Sequence, residues 1–256
     1  MIRSITNVGR PYYTNTFRGP TAEFRVRILS LDLEKRITVA IDGPAGAGKS
    51  TLARRIAAKL GYLYIDTGAM YRAVALWAER LHVSVSDMHR LEQLAAQAEI
   101  SFVPGENTVL LNGEDVTHAI RTRAMGQAAS QVAAVPGVRR AMVNSQREMG
   151  RRSSVVMEGR DIGTVVFPEA DIKIFLDADL DERTERRARE LDLPAQAVSA
   201  EIQERDHRDR TRAEAPLVQA PDALYVDTTG LSIDAVEQEL LRLIRERTSN
   251  GKERTH

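Results

Sequence analysis

The sequence predicts an α/β protein, a parallel sheet covered by helices, and three observations carry that prediction. Strand and helix signals alternate from Ile37 onward. The apolar run "ITVAI" leads into the glycine-rich "GPAGAGKST" and then into a helical pattern. A stretch with two turn signals, between residues 100 and 116, interrupts the alternation once. Alternating strands and helices lay successive strands parallel, because each crossover helix returns the chain to the same end of the sheet. Two turn dipeptides close together mark local antiparallel pairing instead.

In chain order, "ITVAIDG" reads as a buried strand, and Lys49 to Leu60 as a helix that stops at Gly61. "YLYID" reads as a second strand, followed by an amphipathic helix from Gly68 to Leu81 and another around Asp87 to Ala98. In "ISFVPGENTVLLNGEDV" the turn pairs Pro104-Gly105 and Asn112-Gly113 separate short β-prone runs, a small antiparallel insertion. Two helical stretches then meet at Pro136-Gly137. "SVVME" and "DIKIFLDA" read as strands, two charged helices lie between Asp181 and Arg210, "ALYVD" is a short strand, and a helix from Ile233 closes the pattern. No internal repeat or low-complexity segment interrupts it.

With 256 residues, 43% of them hydrophobic, the chain has the material for one large core and a small inserted domain. Its 36 basic and 36 acidic side chains balance, which argues against general binding of nucleic-acid polymers and makes any anion site local. The absence of cysteine excludes disulfides, thiolate metal sites and cysteine nucleophiles, and suits a cytoplasmic setting. No apolar stretch approaches the roughly 20 residues of a membrane span, so no membrane partner is expected. Residues 1–35 differ from the rest: Arg3, Arg10 and Arg18 precede the first acid, Glu23, in a segment rich in Ser, Thr, Asn and Tyr. This superficially resembles a transit peptide. Lacking a sustained apolar period, it is expected to be a disordered tail or residues added by an upstream start.

The glycine-rich stretch fits G-x-x-x-x-G-K-[ST]: Gly43, then Pro44, Ala45, Gly46 and Ala47, then Gly48, Lys49 and Ser50, with Thr51 following. It has the required context, after a strand and at the opening of a helix. Such a loop turns successive N–H groups toward phosphate oxygens, with the positive end of the helix behind them. Lys49 would bridge the β- and γ-phosphates of ATP, and Ser50 would offer its hydroxyl to Mg²⁺. A signalling GTPase would also need a base-reading N-K-x-D element and a switch glycine, and neither is present. The chain instead carries "DTGAMYR" (66–72), "EGRDIGT" (158–164) and "ERDHRDRTR" (204–212), arginines placed after strands or on helices facing them. Taken singly, the first also reads as a turn with a helix start and the last as a solvated face. Taken together, at the carboxyl ends of parallel strands where ligands bind, they describe a second anion site.

Those segments, with "IDGPAGAGKST", "AASQVAAVPGVR", "VVMEGRDIGTVVFPEADIKIFLDA" and "ERDHRDRTRAEAPL", resemble the bacterial cytidylate kinases of the nucleoside monophosphate kinase superfamily. The resemblance runs from about Ile37 to Ile244, and the N-terminal extension has no counterpart in it. It implies a P-loop three-layer fold: a core over 36–66, 151–185 and 214–248, a nucleotide-acceptor region with the β insertion over 67–150, a short lid over 186–213, and a tail over 249–256. It implies transfer of the γ-phosphoryl group of ATP, with Mg²⁺, to CMP or dCMP, by a monomer. It carries over Lys49, Arg160, Arg205 and Arg212 as catalytic residues. For CMP it implies Thr67, Tyr71, Arg72, Ser130, Arg139, Arg160, Asp161, Arg205, Asp209 and Arg212, with Ser130, Arg139 and Asp161 reading cytosine. Two alternatives stay open from the residues alone: Asp161 as a salt-bridge partner of Arg160, and Ser130 as an ordinary helix serine. A kinase for another small acceptor, such as shikimate, and a nucleotide-dependent switch are the competing functions.

Overall fold

The computed structural model describes residues 13–18, 23–28 and 36–249. The chain divides into two units after residue 35. In the first, β1 (Tyr13–Arg18) and β2 (Glu23–Ile28) pair antiparallel, with Tyr13 opposite Ile28 and Arg18 opposite Glu23. The tail expected to be disordered therefore contains two paired strands, in stretches where aromatic and β-branched residues favour extended backbone. The remainder of that segment, and residues 250–256 of the expected C-terminal tail, lie outside the described residues.

The second unit runs β3 (Thr38–Asp42), α1 (Lys49–Leu60), β4 (Leu63–Asp66), α2 (Thr67–Arg80), α3 (Met88–Gln97), β5 (Ile100–Phe102), β6 (Val109–Leu111), β7 (Glu114–Asp115), α4 (Arg123–Val132), α5 (Pro136–Arg152), β8 (Val155–Gly159), β9 (Ile172–Asp177), α6 (Leu180–Leu191), α7 (Ala195–Thr211), β10 (Leu224–Asp227) and α8 (Ile233–Ser249). Five strands form one parallel sheet in the order β10-β9-β3-β8-β4. The chain leaves central β3 for β4 at one edge, fills the gap with β8, then crosses to β9 on the other side. That reversal puts a crevice at the carboxyl end of β3, where an open α/β sheet binds its ligand. Asp42 lies opposite Gly159 in that register, and Asp66 opposite Glu158.

The pleat sends successive side chains to opposite faces, and each face has its own core. Val39, Ile41, Val156, Ile172, Ile174 and Leu176 pack with Leu52 and Ile56 of α1 and Leu240 and Ile244 of α8. Ala40, Val155 and Met157 face α2 to α5, a larger core that includes Met70, Leu91, Val138 and Met142. Full burial of Leu52 or Ile56 contributes about 1.5–3 kcal/mol each. A third, small cluster of Ala188, Val198 and Ile202 joins α6 to α7.

The insertion is a three-stranded antiparallel sheet in the order β5-β6-β7. Asn112 and Gly113, both at positive φ, make the tight turn between β6 and β7 that this dipeptide favours. Two short elements have no counterpart in the sequence pattern: a 3-10 turn at Ala119–Arg121 and a π-helical turn at Ile162–Val166. The buried Asp42 carboxylate fixes the second by accepting from the backbone N–H of Ile162 (2.8 Å) and Gly163 (2.7 Å). Burial raises the Asp42 pKa to about 6 against the pull of those two donors.

Candidate active site

The glycine-rich loop leaves β3 into the reversal point and enters α1. A Cβ on Gly43, at φ +150, would stand 1.9 Å from the carbonyl oxygen of Leu176, so the loop can run alongside β9 only without a side chain there. Gly48 caps α1 in the left-handed region, at φ +88, which aims the first helical N–H groups into the crevice. Ala45 through Thr51 line a cleft of about 660 Å³; Gly43 and Pro44 do not reach its wall and shape the turn behind it. Lys49 is buried, its Nζ donating to the Pro44 carbonyl at 2.6 Å. Burial, then the nearby Arg160 guanidinium, lower its pKa to about 7 against the attraction of Glu158. Ser50 donates to Glu158 Oε2 at 3.0 Å, and Tyr64 to Glu158 Oε1 at 2.6 Å. Burial and the neighbouring Asp66 push the Glu158 carboxyl above its ordinary pKa.

All the residues carried over for the second anion line the same cleft. Thr67 opens α2 and donates to the Glu158 backbone carbonyl at 2.7 Å, while Asp66 caps that helix through Ala69 and pairs with Arg72 at 2.8 Å. Arg139, buried on α5, donates to Tyr71 Oη and to Asp161 Oδ1, each at 3.1 Å, and its guanidinium lies 5.7 Å from the Tyr71 ring centroid. Burial pushes the Tyr71 phenol up to about 12, so it stays a neutral donor. Asp161 also accepts from Arg212 at 3.3 Å. Its carboxyl sits above the ordinary range because burial outweighs those two cations.

Arg160 binds Asp209 instead of Asp161, Nε to Oδ2 at 2.8 Å. That removes the Arg160 salt bridge as the reason for Asp161. Arg205 makes no hydrogen bond among the described residues, and burial together with Arg160 lowers its pKa to about 10. Desolvation is the larger cause of the lowered pKa of both Lys49 and the half-buried Arg205, and in each the Arg160 guanidinium comes next, so cations stand close together round this space. Arg72 Nε, Arg139 Nε, Arg205 Nε and Asp161 Oδ2 are all buried without a hydrogen-bond partner. Orphaned groups of this kind cost free energy unless a ligand completes them.

Helix α7 closes the cleft. Asp206 accepts from the loop's Ala45 N–H at 3.1 Å and from Arg183 at 2.5 Å, and Arg183 also donates to the Ala45 carbonyl at 3.0 Å. On the far side Arg208 donates to Ser130 Oγ at 2.6 Å. Sequence reasoning missed Glu158, Tyr64, the Asp206–Arg183 pair and Arg208. Glu158 had a signal, a carboxylate ending an apolar strand next to the phosphate loop's strand. Arg208 had none, since nothing in "ERDHRDRTR" separates it from its solvated neighbours.

A phosphate loop at the reversal point of a parallel sheet, facing arginines gathered from four other segments, defines a P-loop phosphotransferase that takes two anionic substrates. A profile of the family described as cytidylate kinase matches residues 39–246. The chain is 60% identical over 227 residues to a cytidylate kinase of Solibacter usitatus, covering 86% of this chain and 97% of that protein. A cytidylate kinase of Syntrophotalea carbinolica is 48% identical over 222 residues, 84% of this chain and 94% of that one. Among solved structures, a shikimate kinase from Acinetobacter baumannii aligns at TM-score 0.43 and 16% identity over 83% of this chain and 95% of that one, too distant to bear on substrate. The chain belongs to the cytidylate kinase family and is a nucleoside monophosphate kinase with ATP as donor. No helix among the described residues is long and apolar enough to cross a membrane.

Proposed function

We propose that the phosphate loop and the arginine cluster divide the family's reaction between them: the loop holds ATP, the cluster holds CMP or dCMP, and the γ-phosphoryl group passes across, giving ADP and CDP or dCDP. An oxygen of the acceptor phosphate is already anionic, so no base need deprotonate it. The barrier comes from bringing two polyanions into line and spreading the charge of the transferring group. Lys49, with the loop N–H groups, takes the donor phosphates. Arg72 and Arg160 take the acceptor phosphate, because a rigid guanidinium meets two phosphate oxygens at once. Arg205 and Arg212 close over both from the lid side, Asp209 orienting Arg160 and Arg212 and meeting the ribose. Thr67 and Tyr71 shape the acceptor pocket.

The residues fit a magnesium ion. Ser50 presents a hydroxyl beside the Glu158 carboxylate, hard oxygen donors that suit it, and among the described residues no cluster of three or more His, Asp or Glu forms a cage. Mg²⁺ would be held by Ser50 with ATP phosphates and waters, and when bound it neutralises phosphate charge. A cytoplasmic monomer is the setting this reading expects.

One observation carries the base assignment: Asp161 Oδ2 is buried, unpartnered and on the cleft wall, while Oδ1 is held by Arg139 and Arg212. A fixed carboxylate with one free oxygen accepts from the amino group of cytosine and repels the carbonyl that uracil puts in its place. Coupled assay of ADP formation with CMP, dCMP, UMP, AMP and shikimate tests it. Rapid turnover confined to CMP and dCMP is expected; equal use of UMP overturns the cytosine reading, and turnover with shikimate alone overturns the acceptor class.

A further inference from the structure

Ser130 sits between two cavities. It lines the main cleft, and it also lines a smaller one, about 240 Å³, together with Arg208 of α7. Arg208 does not line the main cleft. It reaches Ser130 from behind, Nη1 to Oγ at 2.6 Å, while its other amino group holds Glu204. A serine hydroxyl has one hydrogen to give and two lone pairs to receive with. A guanidinium only donates, so at this bond Ser130 must be the acceptor, and its own hydrogen points away from Arg208. A helix serine ordinarily gives that hydrogen to the carbonyl one turn back. Ser130 does not: among the described residues its hydroxyl has no bond to Gly126 or to any other acceptor.

We infer that Arg208 is a specificity-determining positioning residue, which fixes Ser130 as a hydrogen-bond donor toward the base. The inference rests on the proposal that Ser130 and Asp161 read the nucleotide. The two then form a polarity pair. Asp161 offers an acceptor, Ser130 a donor, and cytosine presents the complement side by side, an amino donor and the unprotonated N3 acceptor. Uracil presents both reversed, a carbonyl and N3–H. A charged donor at the hydroxyl oxygen also polarises the O–H and strengthens its donation. With Arg208 bound, one lone pair is taken and the polarised hydrogen is the stronger group to turn toward the base; without Arg208 both lone pairs are free, and the hydroxyl receives from uracil N3–H as readily as it gives to cytosine N3.

The test is the ratio of kcat/KM for CMP to that for UMP, which does not depend on the fraction of folded enzyme. Arg208→Met, which keeps most of the aliphatic stem, narrows the ratio by about three- to ten-fold, the scale of one uncharged hydrogen bond. Arg208→Lys, which keeps a cationic donor, retains the preference. Arg123→Met is the control: Arg123 pairs with Glu201 at 2.9 Å, another link between α4 and α7, and has no bond to Ser130 among the described residues, so its loss leaves the ratio unchanged. An unchanged ratio in Arg208→Met, a ratio as narrow in Arg208→Lys, or equal narrowing in Arg123→Met overturns the inference. Ser130→Ala, measured alongside, separates the two levels. If it leaves the ratio intact, the base-reading role of Ser130 fails; if it narrows the ratio and Arg208→Met does not, only the role of Arg208 fails.

Discussion

On the proposed reading, a donor loop and an acceptor clamp share one cleft, and they are made of different material. The loop is a single run, Gly43 to Thr51, working chiefly through backbone N–H groups whose directions are set by glycine φ values and by the start of α1. The clamp is assembled from side chains on α2, α4, α5, the end of β8 and α7, held by ion pairs that cross the molecule, such as Arg160 to Asp209 and Arg139 to Asp161. Backbone donors cannot be exchanged by substitution, so a loop of this kind binds any triphosphate in much the same way. Side-chain donors and acceptors can each be chosen, and there the identity of the substrate is written. On that proposal, the common chemistry lies in the loop and the selectivity in the clamp.

Four changes would break or sharpen that contrast. The largest is Lys49→Ala. Lys49 is the one side chain on which the loop depends for charge, and its loss should lower turnover by about 10³ or more for every acceptor alike. Near-normal turnover in a folded variant would remove the loop from the donor site. Next comes Arg160→Lys, which keeps the charge and loses the two-pronged geometry; turnover should fall ten-fold or more in steady-state assays, on the order of one bidentate phosphate contact. A variant with wild-type rate and CMP affinity would make Arg160 a partner of Asp209 and nothing else.

Asp161→Ala addresses selectivity, read as a ratio so that any shared loss from releasing Arg139 and Arg212 cancels. Losing one charged hydrogen bond costs about 1.5–3 kcal/mol, so the CMP to UMP ratio of kcat/KM should narrow by roughly ten-fold or more. Equal losses for both nucleotides would mean that Asp161 serves only to hold Arg139 and Arg212. The smallest effect returns to the loop. With its pKa lowered to about 7, Lys49 is half neutral at that pH in the free protein. Phosphates bind the protonated form, so the bound state holds the proton more tightly and nucleotide binding takes one up above pH 7. Affinity for ADP should be level below about pH 6, fall about two-fold by pH 7 and about five-fold more between pH 7 and 8. Calorimetry in buffers of different ionisation enthalpy should detect the uptake, and Lys49→Met should abolish it.

The contrast also explains what the sequence made legible. The limits of α1 follow from Lys49 and Gly61 because capping is a local matter: Gly61 closes the helix in the left-handed region within its own turn. The β6–β7 turn was readable for the same reason, since Asn112-Gly113 favours it whatever lies around. The cleft's composition was readable too, because arginines after parallel strands have one place to converge. Their partners were not. Asp161 follows Arg160 in the chain, yet it faces Arg139 and Arg212, since the π-helical turn at 162–166 reorients it and that turn is held by Asp42 from 120 residues away. Asp209 receives Arg160 from α7, across 49 residues of chain. The pairing of β1 with β2 was missed for a different reason: β2, Glu-Phe-Arg-Val-Arg-Ile, alternates apolar and charged residues as a strand should, but over six residues and beside a β1 with no such alternation the period is too short to stand out.

Helix α7 acts as a ruler with one mark for each part of the cleft that it meets. Asp206 meets the glycine-rich loop at Ala45, Arg205 and Asp209 line the cleft, and Arg208 touches α4 at Ser130. His207 and Arg210 point outward. The marks lie within a little over one helical turn, so their directions are locked together by the backbone. Side chains on the outer face can be exchanged at little cost. A one-residue insertion or deletion between Arg205 and Arg208 cannot, because it turns everything beyond it by about 100° and presents each partner with its neighbour's mark. For anyone redesigning this enzyme's acceptor, the helix fixes a reading frame: new selectivity has to come from new letters at fixed positions, with the length of α7 left alone.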